Sequence, residues 1–395
     1  MKRSMLLAAL VALVAASSVM AGWKTEKFMS GSDMVSYQVN TKVGQDFFTI
    51  LKTVGSYRVY ITFQSVGYEE FKNSVISWKA GTRPSPSDST VAEGAMSAIT
   101  LTDASIFNAN GDVTFAVFLA DRFVRGGLPK VSVVVMPVPA NHAHSGGSPN
   151  VSVQANNCDV AGVRVVYSPR PVDASGSQLA PAGLVAVSTG TIDSTGPGFP
   201  AKDYGNVGTI HVLGGLFGDC SIRGNCGTLL SEARTCTIKP GGTKKKVLQG
   251  GSIGGKLITV GGKIGTISAR NGLTGAGGGT ANNRIVSGYA ATPKTYSATA
   301  DIGQIVVKRG WDKPCVVAGS EVGVNFSSTA PTMYNGGIKL FRVNNKGDGT
   351  CSGQTGAVFT SAVAPRVTGK MKSSVSGNTI FVQRWGKCDL NDFVK

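Results

Sequence analysis

Val207 Gly208 Thr209 Ile210 His211 Val212 Leu213 Gly214 Gly215 Leu216 returns without gaps as Ile264 Gly265 Thr266 Ile267 Ser268 Ala269 Arg270 Asn271 Gly272 Leu273. It returns again as Ile302 Gly303 Gln304 Ile305 Val306 Val307 Lys308 Arg309 Gly310 Trp311. Each copy reads β-branched, Gly, polar, Ile, variable, apolar, two variable positions, Gly, large apolar. From Gly208 to Gly265 is 57 positions and from Gly265 to Gly303 is 38, which are three and two multiples of 19. Stepping 19 from Gly208 lands on Gly227, where Cys226 Gly227 Thr228 Leu229 copies the motif. Stepping 19 from Gly303 lands on Val322, one short of Gly323. Fixed-period self-similarity marks a repeat architecture.

A unit of that length is too short for a helix pair and suits one coil of a parallel β-solenoid. The isoleucines are then expected to stack inward: Ile210, Ile267 and Ile305. The glycines are expected where positive φ or close backbone approach excludes other side chains. Weaker copies are read at Ile253 Gly254 Gly255, Arg284 Ile285 Val286, Gly337 to Leu340 and Thr379 to Val382. On these residues, from about Gly205 to Gln383, the chain resembles the glycine-rich parallel β-helix repeat proteins of the bacterial surface, of the adhesin-like and autotransporter passenger-like kinds. The resemblance implies architecture and brings no catalytic residue with it.

Outward from the repeat, alternating segments such as Tyr57 to Phe63, Val113 to Leu119 and Val131 to Val138 read as strands between turn signals. The expected fold class is all-β. Residues 205–395 form a parallel β-helix (solenoid) domain, and residues 22–168 an N-terminal β-sandwich or capping β domain. Residues 169–204, rich in Pro, Ser, Gly and Ala, are expected as linker or long loop. With 53 Gly and only 15% charged residues, the chain favours short strands and tight turns over long amphipathic helices.

Lys2 and Arg3 precede an apolar run from Met5 to Ala16, followed by small residues up to Ala21. That order is a signal peptide over residues 1–21, with bacterial character. The mature chain is therefore expected to be secreted, at the cell surface or in the periplasm, without a transmembrane segment. Seven cysteines, six of them after residue 200, are expected mostly to pair there, with one left over and the connectivity open.

The formal charge is +17, and +15 once Lys2 and Arg3 leave. Polyanions are the expected partners: acidic polysaccharide or an anionic cell-envelope surface, with no specific nucleic acid. The densest basic cluster, Lys244, Lys245 and Lys246, is the candidate polyanion contact. No cofactor, metal site or catalytic residue is expected. His142 and His144 lack a third ligand, and His211 stands where its sister copies have Ser268 and Val306. Ser145 lacks a nucleophile elbow, and Gly275 to Gly279 lacks the Lys of a phosphate loop. Lys308, Arg309 and Asp312 beside Trp311 offer a sugar-binding face, against which Trp311 occupies the core position of Leu216 and Leu273. Two function classes follow. One is a non-enzymatic surface or matrix protein; the alternative is a polysaccharide-active enzyme or acidic-glycan-binding protein on the same scaffold.

Overall fold

The computed structural model describes residues 23–30, 33–40, 46–54, 57–69, 113–119, 124–138, 150–168, 183–192, 203–238, 243–254, 257–270, 272–274, 284–291, 294–296, 301–307, 310–312, 315–318, 337–343, 358–360, 379–382 and 384–389. Residues 1–21, where a signal peptide is expected, and His142, His144, Ser145, Gly275 to Gly279, Lys308, Arg309 and Cys351 lie outside them. Every named element of the described residues is a strand, and most strands lie in parallel sheets.

The quoted motif forms the centre of the longest sheet. Val207–Leu213 pairs in parallel with Cys226–Ile238, which pairs with Ile264–Ala269, then Ile302–Val307, Gly337–Val343 and Arg384–Asp389. Ile210, Leu229, Ile267, Ile305 and Phe341 are register partners, and the first four are fully buried. A stack of like apolar side chains at every strand buries a continuous core without a long-range fold around it.

The repeated glycine has a different job from a corner. Gly208, Gly227, Gly265 and Gly303 lie within the strands, and a Cβ on each would sit 2.3–2.4 Å from the carbonyl oxygen of the residue stacked before it, beginning with Ala161. The two residues after each inward β-branched position therefore both face outward, as in a β-bulge repeated from strand to strand. Ala161 takes the first place in this column, where the register to Lys130–Pro137 shifts. Corner glycines exist as well, three residues earlier: Gly205, Gly224 and Gly262 are linked from amide to carbonyl in a column. Beside them runs a ladder of side chains. Asp159 Oδ1 accepts from the Asn206 amide, Asn206 Oδ1 from the Asn225 amide, and Asn225 Oδ1 from the Lys263 amide.

A second parallel ladder faces the first across one apolar core. Its strands are Val113–Phe118, Val151–Asn156, Leu184–Thr189, Cys220–Ile222, Leu257–Val260, Arg284–Ser287, Cys315–Ala318 and Thr379–Val382. A third, short one joins Ser252–Gly254, Gly272–Thr274 and Gly310–Asp312. Trp311 is thus in register with Leu273 and the buried Ile253, the position its alignment implied.

The step between neighbouring strands of the long sheet corrects the period. Val207 to Cys226 is 19 residues, but Cys226 to Ile264 and Ile264 to Ile302 are single steps of 38. The excess is chain inserted between strands of the ladders. Ala233–Ile238 folds back antiparallel on Lys245–Gly250 as a hairpin, and Tyr289–Ala291 pairs with Lys294–Tyr296 as another. The spacings of 57 and 38 are expected as three and two units of 19, whereas from Cys226 to Ile264 and from Ile264 to Ile302 the chain leaves the ladder and returns after a single step.

N-terminal to the motif, Lys24–Ser30, Asp33–Asn40, Phe47–Val54 and Tyr57–Gln64 form an antiparallel meander. Tyr57–Gln64 pairs antiparallel with Lys130–Pro137, and from that strand onward the long sheet is parallel. The parallel ladder therefore begins at Lys130, well before Gly205. The segment expected as linker contributes Leu184–Thr189 to the second ladder, with Val185 and Val187 buried. Among the described side chains, Cys158, Cys220 and Cys226 are free thiols packed in the core, so the expected pairing is not seen at these three positions. Cys220 and Cys226 point inward from their strands and Cys158 from the bend between Val151–Asn156 and Asp159–Val166, where they fill the positions of small hydrophobes.

Candidate binding face

The repeated bulge sets the chemistry of the outer face of the long sheet. From Gly162 onward its second residue faces outward and lies in register with outward residues of the earlier, regularly alternating strands, so along successive strands these positions read Thr49, Thr62, Ser132, Gly162, Thr209, Thr228, Thr266 and Gln304. The hydroxyls stand one strand apart, about 4.8 Å. Neighbours in the row touch: Thr49 Oγ1 and Thr62 Oγ1 are 2.9 Å apart, and Gln304 Nε2 donates to Thr266 Oγ1 at 2.9 Å. All are half-buried, as in-sheet residues of an outward face are, while the glycines Gly208, Gly227 and Gly265 beside them are exposed.

Two residues further along each strand runs a second row: Tyr60, Val134, Arg164, His211, Leu230, Ser268 and Val306. Trp23 meets Tyr60 edge-on, with ring centroids 6.4 Å apart. Arg164 Nε is shielded and has no hydrogen-bond partner among the described residues. His211 Nε2 and Glu232 Oε2 are 2.8 Å apart, His211 being the more enclosed of the two at 18% side-chain exposure against 47%. The solvent-facing strand position expected for His211 is where it lies, with an acidic neighbour that its sister copies do not reveal.

Charge on this face is mostly positive. Lys130 and Lys263 flank one side; Arg58, Arg234 and Arg270 flank the other, and Arg164 sits between. The acids are engaged: Asp159 in the corner ladder, Glu232 by His211, and Asp301 near Lys339 Nζ at 4.0 Å. Arg234 Nη1 donates to the Tyr167 carbonyl, tying the base of the hairpin to the end of Asp159–Val166, two strands away.

Lys244, Lys245 and Lys246 stand on the returning arm of that hairpin, Lys245 and Lys246 opposite Ile238 and Thr237. Lys244 and Lys246 are exposed. They project from the ladder and are separate from the row of hydroxyls. Among the described residues no group of three or more His, Cys, Asp or Glu side chains is placed to hold a metal ion. No helix among them is long and apolar enough to cross a membrane.

The core thiols lack the chemistry of a reactive site. Burial pushes the Cys220 thiol up to about 12 and raises Cys158 and Cys226 further, with Asp159 adding to Cys158 and Cys220 to Cys226. A nucleophilic cysteine needs the opposite shift.

No known protein family, curated protein or solved structure matches this chain. The outer face is not disclosed by the repeat's strongest signal, which lies on the inward isoleucines Ile210, Ile267 and Ile305. The signal that points to it was present one position away, where the copies read Thr209, Thr228 and Thr266 directly after the glycine.

Proposed function

We propose that the parallel ladders are the faces of a parallel β-helix, and that this scaffold is an exported, non-enzymatic surface or matrix protein, adhesin-like in kind, that holds acidic polymers. The observation that carries the reading is the outer face of the long sheet, where Lys and Arg residues outnumber acids, and those acids are already engaged. Export rests on the charged, apolar and small-residue order of residues 1–21. Attraction of this kind is long-ranged and weakly specific, which suits adhesion to an acidic polysaccharide or an anionic envelope surface.

The test is retention of the mature chain on a polygalacturonate matrix. Binding is expected at 0.1 M salt and release toward 1 M, as the screening length shrinks from about 10 Å to about 3 Å. Neutralising the hairpin by Lys244→Gln, Lys245→Gln and Lys246→Gln is expected to move release to lower salt. Failure to bind any acidic polymer at low salt would remove the reading.

A polysaccharide-cleaving enzyme is the second reading, and the 2.8 Å contact of His211 with Glu232 on an open face favours it, since that pair supplies a titratable dyad. New reducing ends or unsaturated products from the same polymer, abolished by His211→Gln, would establish it over the first.

A further inference from the structure

Resting on the reading of the chain as a binder of acidic polymers, we infer that its ligand is a linear, carboxylate-bearing polysaccharide lying across the strands of the outer face, one sugar to each strand. The stretch in question runs from Lys130–Pro137 to Ile302–Val307.

The first argument is spacing. Neighbouring strands stand about 4.8 Å apart, a step of the order of one ring of an extended pyranose chain. A chain laid perpendicular to the strands therefore meets a repeated polar row. Hydroxyls come from Ser132, Thr209, Thr228 and Thr266, with Gly162 leaving an open place between the first two and the Gln304 amide following the last. The glycine column alongside has no side chains to obstruct a ligand, and its members cannot acquire one, because each Cβ would strike the carbonyl stacked before it.

The second argument is complementarity. A sugar offers a polar rim and an apolar CH face, and the two rows offer hydroxyls next to Val134, Leu230 and Val306. Carboxylates on alternate edges of a uronic-acid chain would meet Arg164 and the flanking Lys263 and Arg270, where charge-assisted hydrogen bonds are the stronger kind. The stretch carries no Phe, Tyr or Trp on its outward rows, so it lacks the stacking platform that single-stranded nucleic acid uses. Finally, the face is held by ladder hydrogen bonds on both sides, so little ordering is needed when it binds.

The experiment is calorimetric titration with oligogalacturonates of increasing length, beside neutral β-1,4-glucan oligomers of the same lengths. Affinity is expected to rise with each sugar until the row is spanned, and the neutral oligomers to bind at least about tenfold more weakly. The combined variant Thr209→Val, Thr228→Val and Thr266→Val keeps β-branching and volume, so the strands should form. It is expected to lose about tenfold in affinity, as is Arg164→Gln taken separately, while the hairpin variant K244Q/K245Q/K246Q stays within about twofold on these short oligomers. Circular dichroism checks the fold of each; should the valine variant misfold, Arg164→Gln carries the decision. Wild-type affinity in both face variants, or equal binding of neutral and acidic oligomers, overturns the inference. Loss with the lysine variant alone would sink it too, yet leave polyanion binding standing; no binding by any acidic polymer sinks both.

Discussion

At the residue scale, two glycines two strands apart separate packing from propensity. Gly227 and Gly162 both lie in strands of the long sheet, but a Cβ at Gly227 would come within 2.3 Å of the Gly208 carbonyl oxygen, whereas at Gly162 the nearest atom is the Thr209 oxygen at 3.7 Å. The struck atom is backbone in a hydrogen-bonded ladder, which cannot step aside. Gly227→Ala is therefore expected to destabilise by about 1–3 kcal/mol or more, the range of overpacking. Gly162→Ala should be neutral or stabilising by up to about 1 kcal/mol, because it removes freedom from the unfolded chain. Urea unfolding of the two variants checks the contrast. The buried thiols make a second residue-scale prediction. Each has its folded pKa raised, so the unfolded chain gives up its proton first. The stability they contribute is complete below the ordinary thiol value of about 8.5 and drains away as pH climbs toward 12, at about 1.4 kcal/mol per pH unit for each thiol. Cys226→Val places in the column the residue already found at Val207 and Val160, and should flatten that alkaline decline by one thiol's share. A pH series of melts reads it, and alkylation at pH 8 should label Cys158, Cys220 and Cys226 only in urea.

At the element scale, the hairpin from Ala233 to Gly250 is an appendage on a ladder that continues through it. Arg234 faces Gln249 across its base, so deleting Thr235 to Leu248 and closing with Asn-Gly, a two-residue hairpin turn, is expected to leave the pairing of Cys226 with Ile264 intact. Stability should change by about 1 kcal/mol or less, since loop closure depends only weakly on length. Retention on an acidic matrix should fall as it does for the lysine variant, because Lys244 to Lys246 leave with the loop; a collapse of the melt would show instead that the hairpin is part of the ladder. The same insertion explains what the sequence could and could not disclose. The inward isoleucines were legible because stacking demands one residue type at one phase, and the chain returns in phase after each insertion. Coil length was not, because a 38-residue step with a hairpin looks the same as two 19-residue steps until Cys226 and Ile264 are seen side by side. The parallel strands before Gly205 were hidden for a different reason: Ala161 stands where the later strands have glycine, and Asp159 where they have Asn206 and Asn225, so the same geometry is built from other letters. On the face, Lys244 to Lys246 were legible as a charge run, while the hydroxyl row needed the register of eight strands drawn from separate parts of the chain.

At the scale of the whole molecule, parallel ladders are quasi-one-dimensional, so the ends decide whether the protein stays soluble. The long sheet ends on its N-terminal side with Lys24–Ser30, a strand that carries Lys24, Glu26 and Lys27. Charged edge strands resist pairing with a second chain. Three strands further in, Tyr57–Gln64 covers all eight residues of Lys130–Pro137 by antiparallel pairing. That covered strand reads Lys130 Val131 Ser132 Val133 Val134 Val135 Met136 Pro137, a β-branched run with one charge, at its first position. Removing residues 22–69 would turn it into an edge with unpaired amides and carbonyls, and would also strip Phe48, Ile61 and Phe63 from the core over which Val131, Val133 and Val135 pack. Such an edge matches the signature of an aggregation-prone segment: strong β-propensity, low charge and, until its last residue, no proline. The truncated chain is therefore expected to elute as oligomers in size-exclusion chromatography where the mature chain elutes as a monomer. Two substitutions on the outward row of the new edge, Ser132→Lys and Val134→Lys, should restore part of the monomer by returning charge to it without touching the inward valines. A truncated chain that stays monomeric and melts as the parent does would show that the meander is dispensable and that the ladder ends safely at Lys130 on its own.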